Sequence, residues 1–276
     1  MNQHTISNTY SFEGVGLHTG KRVRMVLAPA PAGTGIVFRR TDRKGAEMKA
    51  DISNFHRGKR STMLRSNGVS VRTVEHLLSA FAGLGVDNAF VELDGSELPI
   101  MDGSARPFAE VIAADGLAEQ TAQREVITVR EPFEYRDDRR GSFLRIEPDS
   151  AISYQVKIDF NSKVIGVQEA RFDGTGYLEE IAPSRTFCFK REVRLLRLLG
   201  LIKGGSLENA LVIDEPDRYL GLQPAFDNEC ARHKLLDLIG DFSLAGRPIA
   251  GRITAYKPGH KFNATALRAF LETVNL

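Results

Sequence analysis

The sequence predicts an α+β protein built from two similar domains. Both halves of the 276-residue chain run through the same order of elements, with short strands first and then a helix, a strand and a second helix. Gly, Pro and Asp separate the short strands, as is typical of sheets with tight connections. A chain of this length can form two cores. Strands followed by helices, twice, therefore favour two α+β domains.

In the first half, residues 1–120, alternating or continuous apolar runs predict strands, and apolar residues at helical spacing predict helices. The predicted strands are 23–27, 33–38 and 88–93, and the predicted helices are about 73–83 and 107–114. Thr73 is the expected N-cap of the first helix, because a threonine hydroxyl can accept a hydrogen bond from the first turn.

The second half, residues 121–276, is expected to begin after a connection near 118–124. The predicted strands are 125–129, 142–147, 152–160, 210–213 and 249–256, and the predicted helices are about 191–199, 228–244 and 263–273. Gly246 suits the position just after a helix end.

Composition excludes several classes of protein. The apolar share of 42% and the charged share of 26% are those of an ordinary globular domain. A net charge of +2, without a block of like charges, argues against a nucleic-acid partner. The sequence contains no apolar run of transmembrane length and no signal-peptide pattern at its start. Cys188 and Cys230 lack zinc-ribbon spacing, so we expect reduced cysteines and a cytoplasmic protein.

The helix predicted at 228–244 carries a narrow polar wedge. His233, Asp237 and Asp241 are spaced i, i+4 and i+8, which places them within about 80° of one another around the helix axis. The opposite arc is apolar, and burying unpaired carboxylates is costly. A divalent metal would relieve that cost, since His and Asp one turn apart can bind one ion. A solvated helix face is the alternative interpretation.

If the first long helices of the two halves meet, His76 lies near His233. Two histidines and one aspartate leave a fourth position for water, which defines a catalytic zinc site. Glu75 could then accept the proton of that water, and His260 could act as a general acid with Asp241 as its partner. The alternatives are that Glu75 is a solvated helix residue and that His260 is an ordinary surface histidine.

Two segments could contribute to a substrate site. Residues 185–189 place a hydroxyl beside two aromatic rings, although such a run is usually the core of a strand. Residues 193–202 are rich in leucine, and composition alone favours core packing for them over lipid binding.

Several phrases, in this order along residues 6–270, resemble one enzyme family. They are Ser11-Phe-Glu-Gly-Val-Gly-Leu-His-Thr-Gly20, Thr73-Val-Glu-His-Leu77, Pro99-Ile-Met-Asp-Gly-Ser104, Arg185-Thr-Phe187, Lys203-Gly-Gly-Ser206, Arg232-His-Lys234, Asp237-Leu-Ile-Gly-Asp241 and Gly259-His260. The chain resembles the UDP-3-O-acyl-N-acetylglucosamine deacetylases, which are zinc amidases of lipid A biosynthesis in Gram-negative bacteria. An ordered match of this extent is far more specific than any single motif.

The resemblance implies a fold and a catalytic centre. The fold would be a β-α-α-β sandwich, in which each domain is a mostly antiparallel sheet with two helices facing inward. One Zn²⁺ per chain would be bound by His76, His233 and Asp237. Glu75 would be the base and His260 the acid; Asp241 would orient His260, and Thr186 would help to bind the oxyanion.

The resemblance also implies substrate contacts. The substrate would be a UDP-linked acylated amino sugar whose N-acetyl group is released as acetate. Lys234 and Lys257 would hold the diphosphate or sugar side of the substrate. Asp159 and Phe160 match the segment near the nucleotide, and Phe187 would be a further substrate contact. An insert at about 193–212 would form a passage for the 3-O-acyl chain, with Val193, Ile202, Ala210 and Val212 as lining residues. This contradicts the core packing that composition favours.

Two other functions stay open at this level. A zinc amidase acting on a different acylated amino sugar would keep the same metal ligands without a nucleotide site or an acyl passage. A non-catalytic protein with a closed metal site would need a fourth protein ligand and no carboxylate base. We expect a monomer without a nucleic-acid partner.

Overall fold

The structure, a computed structural model, describes residues 1–275, and within them the chain forms nineteen strands and five α-helices, besides four short 3-10 or π segments. The strands are β1 (Asn2–Ile6), β2 (Tyr10–Val15), β3 (Arg22–Pro29), β4 (Ile36–Arg40), β5 (Ala46–Lys49), β6 (Phe55–Arg57), β7 (Thr62–Ser66), β8 (Val69–Arg72), β9 (Ala89–Leu93), β10 (Leu117–Gln123), β11 (Ile127–Thr128), β12 (Phe133–Asp137), β13 (Ser142–Pro148), β14 (Ile152–Asp159), β15 (Val167–Phe172), β16 (Phe187–Phe189), β17 (Leu211–Asp214), β18 (Arg218–Leu220) and β19 (Ile249–Tyr256). The helices are α1 (Glu75–Leu84), α2 (Arg106–Asp115), α3 (Lys190–Leu198), α4 (Glu229–Phe242) and α5 (His260–Thr273).

Two large sheets share one topology. The first has the order β2-β3-β9-β4-β5, and the second has the order β12-β13-β19-β14-β15 with β11 beside β19. In each sheet the strand that comes last in sequence lies between the second and the third, antiparallel to the second and parallel to the third. The repeated order of elements predicted from the sequence is therefore confirmed at the level of strand pairing, although no repeat is visible residue by residue.

Helices α1 and α4 pack against each other between these sheets, and α4 also lies against β14 and β15. Their apolar side chains fill the core, among them Leu77, Phe81, Leu236, Ile239 and Phe242. The α+β class and the sandwich with inward helices are therefore confirmed.

A glycine sets how closely α1 and α4 approach. A Cβ atom at Gly240 would lie 2.1 Å from the backbone oxygen of Glu75, far inside van der Waals contact. Only a residue without a side chain therefore allows the N-terminus of α1 to rest on the last turn of α4. This contact brings the Glu75–His76 pair beside Asp237 and Asp241.

Two local predictions are wrong. Thr73 is not an N-cap: its φ is 59°, its hydroxyl donates to Glu97 Oε1 at 2.9 Å, and Val74 precedes α1 without a side-chain cap. The segment 118–124, where the two domains are expected to join, is largely strand β10, which pairs with β1, and its role as a domain connection stays a prediction. Helix α5 begins at His260, three residues earlier than predicted.

The segment at 193–202 does not pack into the core as its composition suggests. Its residues lie in and after α3, which projects beside the small sheet β16-β17-β18. Within the segment only Leu196 and Leu201 are buried. Across residues 1–275, no helix is long and apolar enough to cross a membrane.

Candidate metal centre and active site

His76, His233 and Asp237 form a buried cluster of potential metal ligands between α1 and α4. One ligand atom from each lies within 4.8 Å of the others. Asp237 Oδ1 is 3.5 Å from His233 Nε2 and 3.8 Å from His76 Nε2. The two imidazole rings meet edge to face with centroids 5.1 Å apart. The expectation that His76 lies near His233 is confirmed.

The hydrogen bonds and charges around the cluster suit metal binding. His233 Nδ1 lies 3.0 Å from the carbonyl oxygen of Ser184, so the N–H on that nitrogen can donate there and leave Nε2 as the free donor atom. Burial lowers the pKa of His76 to about 3 and also lowers that of His233, which keeps both rings neutral. Burial alone would raise the pKa of Asp237, but nearby positive charge, that of Lys234 first and that of protonated His260 with it, lowers the pKa and keeps the carboxylate ionised.

These donors fit a metal ion. Donor atoms around a tetrahedral zinc ion lie roughly 3.3–3.5 Å apart, because each bond is roughly 2.0–2.2 Å long. The 3.5 and 3.8 Å separations are close to this spacing, and neutral imidazoles and a carboxylate are the protonation states that metal binding needs. Within residues 1–275 the group of possible ligands contains these three side chains and no fourth. That composition argues against the closed structural site.

Glu75 and His260 face each other beside the cluster. His260 Nε2 lies 3.6 Å from Glu75 Oε1 and 3.8 Å from Asp237 Oδ2. Burial raises the pKa of the Glu75 carboxyl to about 8. Burial would lower the pKa of His260, but the carboxylates of Asp241, Glu75 and Asp237 outweigh it and raise that pKa to about 10. The two groups are therefore a coupled acid–base pair beside the buried cluster.

Asp241 holds His260 in position. Its Oδ2 lies 3.0 Å from His260 Nδ1 and accepts a hydrogen bond of 2.8 Å from Asn263 Nδ2. Its Oδ1 accepts a hydrogen bond from the hydroxyl of Thr62. The backbone N–H of Thr62 in turn donates to Glu75 Oε2 at 3.0 Å. Both oxygens of this buried carboxylate are thus held by hydrogen bonds from other side chains, which fixes the orientation of the imidazole that it contacts.

Sequence reasoning missed Thr62, Asn263 and Ser184. Thr62 comes from β7 and Ser184 from the loop before β16, so their contacts arise only from the tertiary fold. A signal existed for Asn263 alone. It lies one turn after His260 at the start of α5, and an asparagine at that spacing can reach a group that the histidine also contacts.

Lys234, Phe187 and Phe160 line one side of the cluster. Lys234 Nζ donates to Asp237 Oδ2 at 2.6 Å and lies 5.6 Å from the centroid of the Phe187 ring. That ring contacts His233, with centroids 6.2 Å apart, and Phe160, with centroids 5.6 Å apart. The two phenylalanines therefore form an aromatic wall that leads away from the metal cluster.

Asp159 and Lys257 lie where that wall reaches the surface. Lys257 Nζ is 3.0 Å from Asp159 Oδ2, which also accepts the hydroxyl of Tyr256 at 3.0 Å. The residues sit at the ends of β14 and β19, and Phe160 follows Asp159 directly. The structure thus connects these two predicted substrate contacts to the cluster through Phe160 and Phe187.

The four predicted passage residues line one cavity of about 670 Å³ beside α3. These residues are Val193, Ile202, Ala210 and Val212, and Thr186 and Phe187 line the same cavity. Thr186 is held on both sides, because its N–H donates to Gly103 and its carbonyl accepts from the N–H of Leu211, each at 2.8 Å. The ring of Phe187, which lines this cavity, also contacts the ring of His233, with centroids 6.2 Å apart, so one side chain touches both the cavity and the metal cluster.

Comparison with known proteins agrees with this geometry. A family model described as UDP-3-O-acyl N-acetylglycosamine deacetylase (LpxC) matches residues 3–272. Proteins named UDP-3-O-acyl-N-acetylglucosamine deacetylase are similar: one from Acidithiobacillus ferrooxidans is 45% identical, covering 98% of this chain and 90% of its own length. One from Myxococcus xanthus is 45% identical, with coverage of 97% and 85%, and one from Thioalkalivibrio sulfidiphilus is 42% identical, with coverage of 98% and 90%. The resemblance seen in the sequence is confirmed, and the chain belongs to the UDP-3-O-acyl N-acetylglycosamine deacetylase family.

Proposed function

We propose that this chain is a zinc-dependent amide hydrolase of lipid A biosynthesis. Its substrate is UDP-3-O-(3-hydroxyacyl)-N-acetylglucosamine, from which it removes the N-acetyl group as acetate. Family membership supports the reaction and the UDP-sugar substrate. The observation that carries the proposal is the three-donor cluster with the Glu75–His260 pair directly beside it.

His76, His233 and Asp237 would hold the metal. When bound there, Zn²⁺ supplies a Lewis acid for the amide carbonyl and lowers the pKa of water toward neutrality. The choice of zinc rests on the ligand types, because two imidazoles and one carboxylate form the donor set of several zinc hydrolases.

The side chains of this chain then divide the proton transfers between them. Glu75 accepts a proton from the water that attacks the amide carbonyl carbon. His260 gives a proton to the sugar nitrogen as the carbon–nitrogen bond breaks, so that acetate and a free amine leave. Asp241 keeps the His260 ring aimed at that nitrogen, and Thr186 donates its hydroxyl to the developing oxyanion.

Substrate binding uses both ends of the site. Lys234 and Lys257 bind the diphosphate or the sugar, Asp159 and Phe160 contact the nucleotide side, and Phe187 is a further substrate contact. The 3-O-acyl chain occupies the cavity lined by Val193, Ile202, Ala210 and Val212. We infer that residues 1–120 and 121–276 are two domains, the first contributing Glu75 and His76 and the second the other metal and acid–base residues.

Product analysis tests the proposed reaction. Purified protein incubated with the acylated UDP-sugar should produce the free amine and acetate, observed by mass spectrometry. Substrates that lack the UDP group or the 3-O-acyl chain should be hydrolysed much more slowly. Equal rates on all three would favour the alternative, a zinc amidase for another acylated amino sugar.

Metal analysis tests the ligand set. The purified protein should contain about one zinc ion per chain, and a chelator should abolish activity until zinc is added back. His76→Ala, His233→Ala and Asp237→Ala should each weaken zinc binding and abolish turnover. His56→Ala, a change at an exposed histidine on β6, is the matched control and should retain both. Full zinc content in all three cluster variants would refute the assignment.

A further inference from the structure

Four exposed leucines form one apolar surface on and beside α3. Leu195, Leu198, Leu199 and Leu207, here called the leucine patch, are 49–77% exposed. They are four of the seven large apolar side chains that are exposed within residues 1–275. Leu195, Leu198 and Leu199 are spaced i, i+3 and i+4, so they share one stripe of the helix. Such a concentration on one short helix indicates a surface that binds a partner.

The edge of the leucine patch is cationic. The stretch from Lys190 to Glu208 contains five Lys and Arg residues and only two carboxylates. Glu192, one of those carboxylates, is paired with Arg60 at 3.0 Å. Arg194 and Arg197 form no ion pair in the described part of the chain. An apolar stripe flanked by free arginines fits an anionic partner with an apolar interior.

Two of the four leucines also form the rim of the cavity proposed to hold the acyl chain. Leu198 and Leu207 line the cavity and are nevertheless exposed, and Arg194 and Arg197 line it too. The cavity therefore opens through the patch. A partner seated there would cover the opening with apolar material.

We propose that the leucine patch docks on the surface of an anionic phospholipid bilayer. Leucines on one face and arginines beside them are the composition of helices that lie in the bilayer interface, where the apolar side chains enter the acyl boundary. Arg194 and Arg197 are long enough to reach lipid phosphates while the leucines are inserted. A second copy of this chain is a poorer partner, since it would bring two cationic rims together.

Vesicle co-sedimentation tests the docking. The full-length protein should bind vesicles of phosphatidylglycerol and phosphatidylcholine more than tenfold better than vesicles of phosphatidylcholine alone, and salt should weaken that binding. Leu195→Gln/Leu199→Gln should reduce binding at least tenfold. Arg194→Gln/Arg197→Gln should also reduce it at least tenfold, because each basic residue near an anionic surface contributes about fivefold.

Matched controls distinguish binding through the leucine patch from nonspecific hydrophobic or electrostatic binding to vesicles. Val167→Gln replaces an apolar side chain of similar exposure on strand β15, away from α3, and Arg130→Gln/Arg139→Gln removes two exposed charges elsewhere. Both should bind vesicles like the unchanged protein. Equal binding to the two kinds of vesicle, or unchanged binding by Leu195→Gln/Leu199→Gln, would overturn the proposal, as would a patch-dependent dimer that ignores vesicles.

The idea that the leucine patch borders the site of the acyl chain rests on the proposed function. The docking itself is measured by vesicle binding, which does not require turnover. Leu195 and Leu199 do not line the cavity, so Leu195→Gln/Leu199→Gln should hydrolyse a short-acyl substrate at the rate of the unchanged protein. If the protein hydrolyses the substrate normally but does not bind vesicles, only the membrane-docking proposal is refuted. If it binds vesicles but does not hydrolyse the substrate, only the proposed deacetylase function is refuted.

Discussion

The metal cluster and the acyl cavity are built in opposite ways. In the cluster, charged side chains are buried between α1 and α4, and the four carboxylate oxygens of Asp237 and Asp241 contact side chains that position them. Around the cavity, α3 buries Leu196 alone and exposes most of its length. Under the proposed function, chemistry that needs positions fixed to a fraction of an ångström would therefore take place in the core, whereas a flexible acyl chain would be bound by a surface element.

The largest expected difference between the regions is catalytic. Glu75→Gln and His260→Ala should each lower kcat about 10²–10⁴-fold while zinc is retained, because each removes one proton transfer and no proposed ligand. Steady-state kinetics together with metal analysis measures both effects. Glu110→Gln, at an exposed glutamate on α2, should change neither. If His260→Ala turned over at the wild-type rate, the proposed role of His260 as general acid would be refuted.

A change in packing should damage the cluster without touching its polar groups. Gly240→Ala should lower the free energy of unfolding by about 1–3 kcal/mol, because the new methyl meets the backbone of Glu75 and the helices must separate. Turnover should fall as well, since Glu75 and His76 move with α1. Denaturant unfolding and kinetics measure the two effects.

Gly259→Ala is the control for that experiment. A Cβ at Gly259 meets no atom within 4 Å, and the backbone there is extended. Its stability should change by no more than about 0.5 kcal/mol. If Gly240→Ala were equally harmless, the close approach of α1 and α4 would not matter for stability.

The smallest expected effect lies in the cavity. Ala210→Phe should reduce kcat/KM for a long-chain substrate roughly tenfold or more, because several methylenes worth about 0.8 kcal/mol each lose their apolar walls. A short-acyl substrate should be spared, and stability should fall little. Ala114→Phe, on the exposed side of α2, is the control. If Ala210→Phe unfolds the protein, or lowers kcat/KM equally for both substrates, the segment belongs to the packed core and does not bind the acyl chain.

The same contrast explains what could be predicted from the sequence. His233, Asp237 and Asp241 are one turn apart, so helical geometry alone placed them on one face, and the repeated element order predicted the sandwich. Thr62 reaches Asp241 across 179 residues, and no local pattern reports such a contact. Thr73 was predicted to be a helix cap because local sequence shows only a threonine before a helix. Its actual hydroxyl partner, Glu97, lies 24 residues away and leaves no local signal. The leucines of α3 looked like core because composition does not say which face a helix leaves exposed.

The salt bridge between Lys234 and Asp237 has a consequence for ion selectivity. The ammonium group occupies Oδ2, so the carboxylate can offer an ion one oxygen, not a bidentate pair. Ca²⁺ requires six to eight oxygen ligands and Mg²⁺ an octahedral shell of them, whereas two imidazoles and one oxygen satisfy a small tetrahedral ion. If Asp237 is a metal ligand as proposed, a lysine that touches no ion would therefore help to exclude the two most abundant divalent cations, because it limits the aspartate to one ligand oxygen.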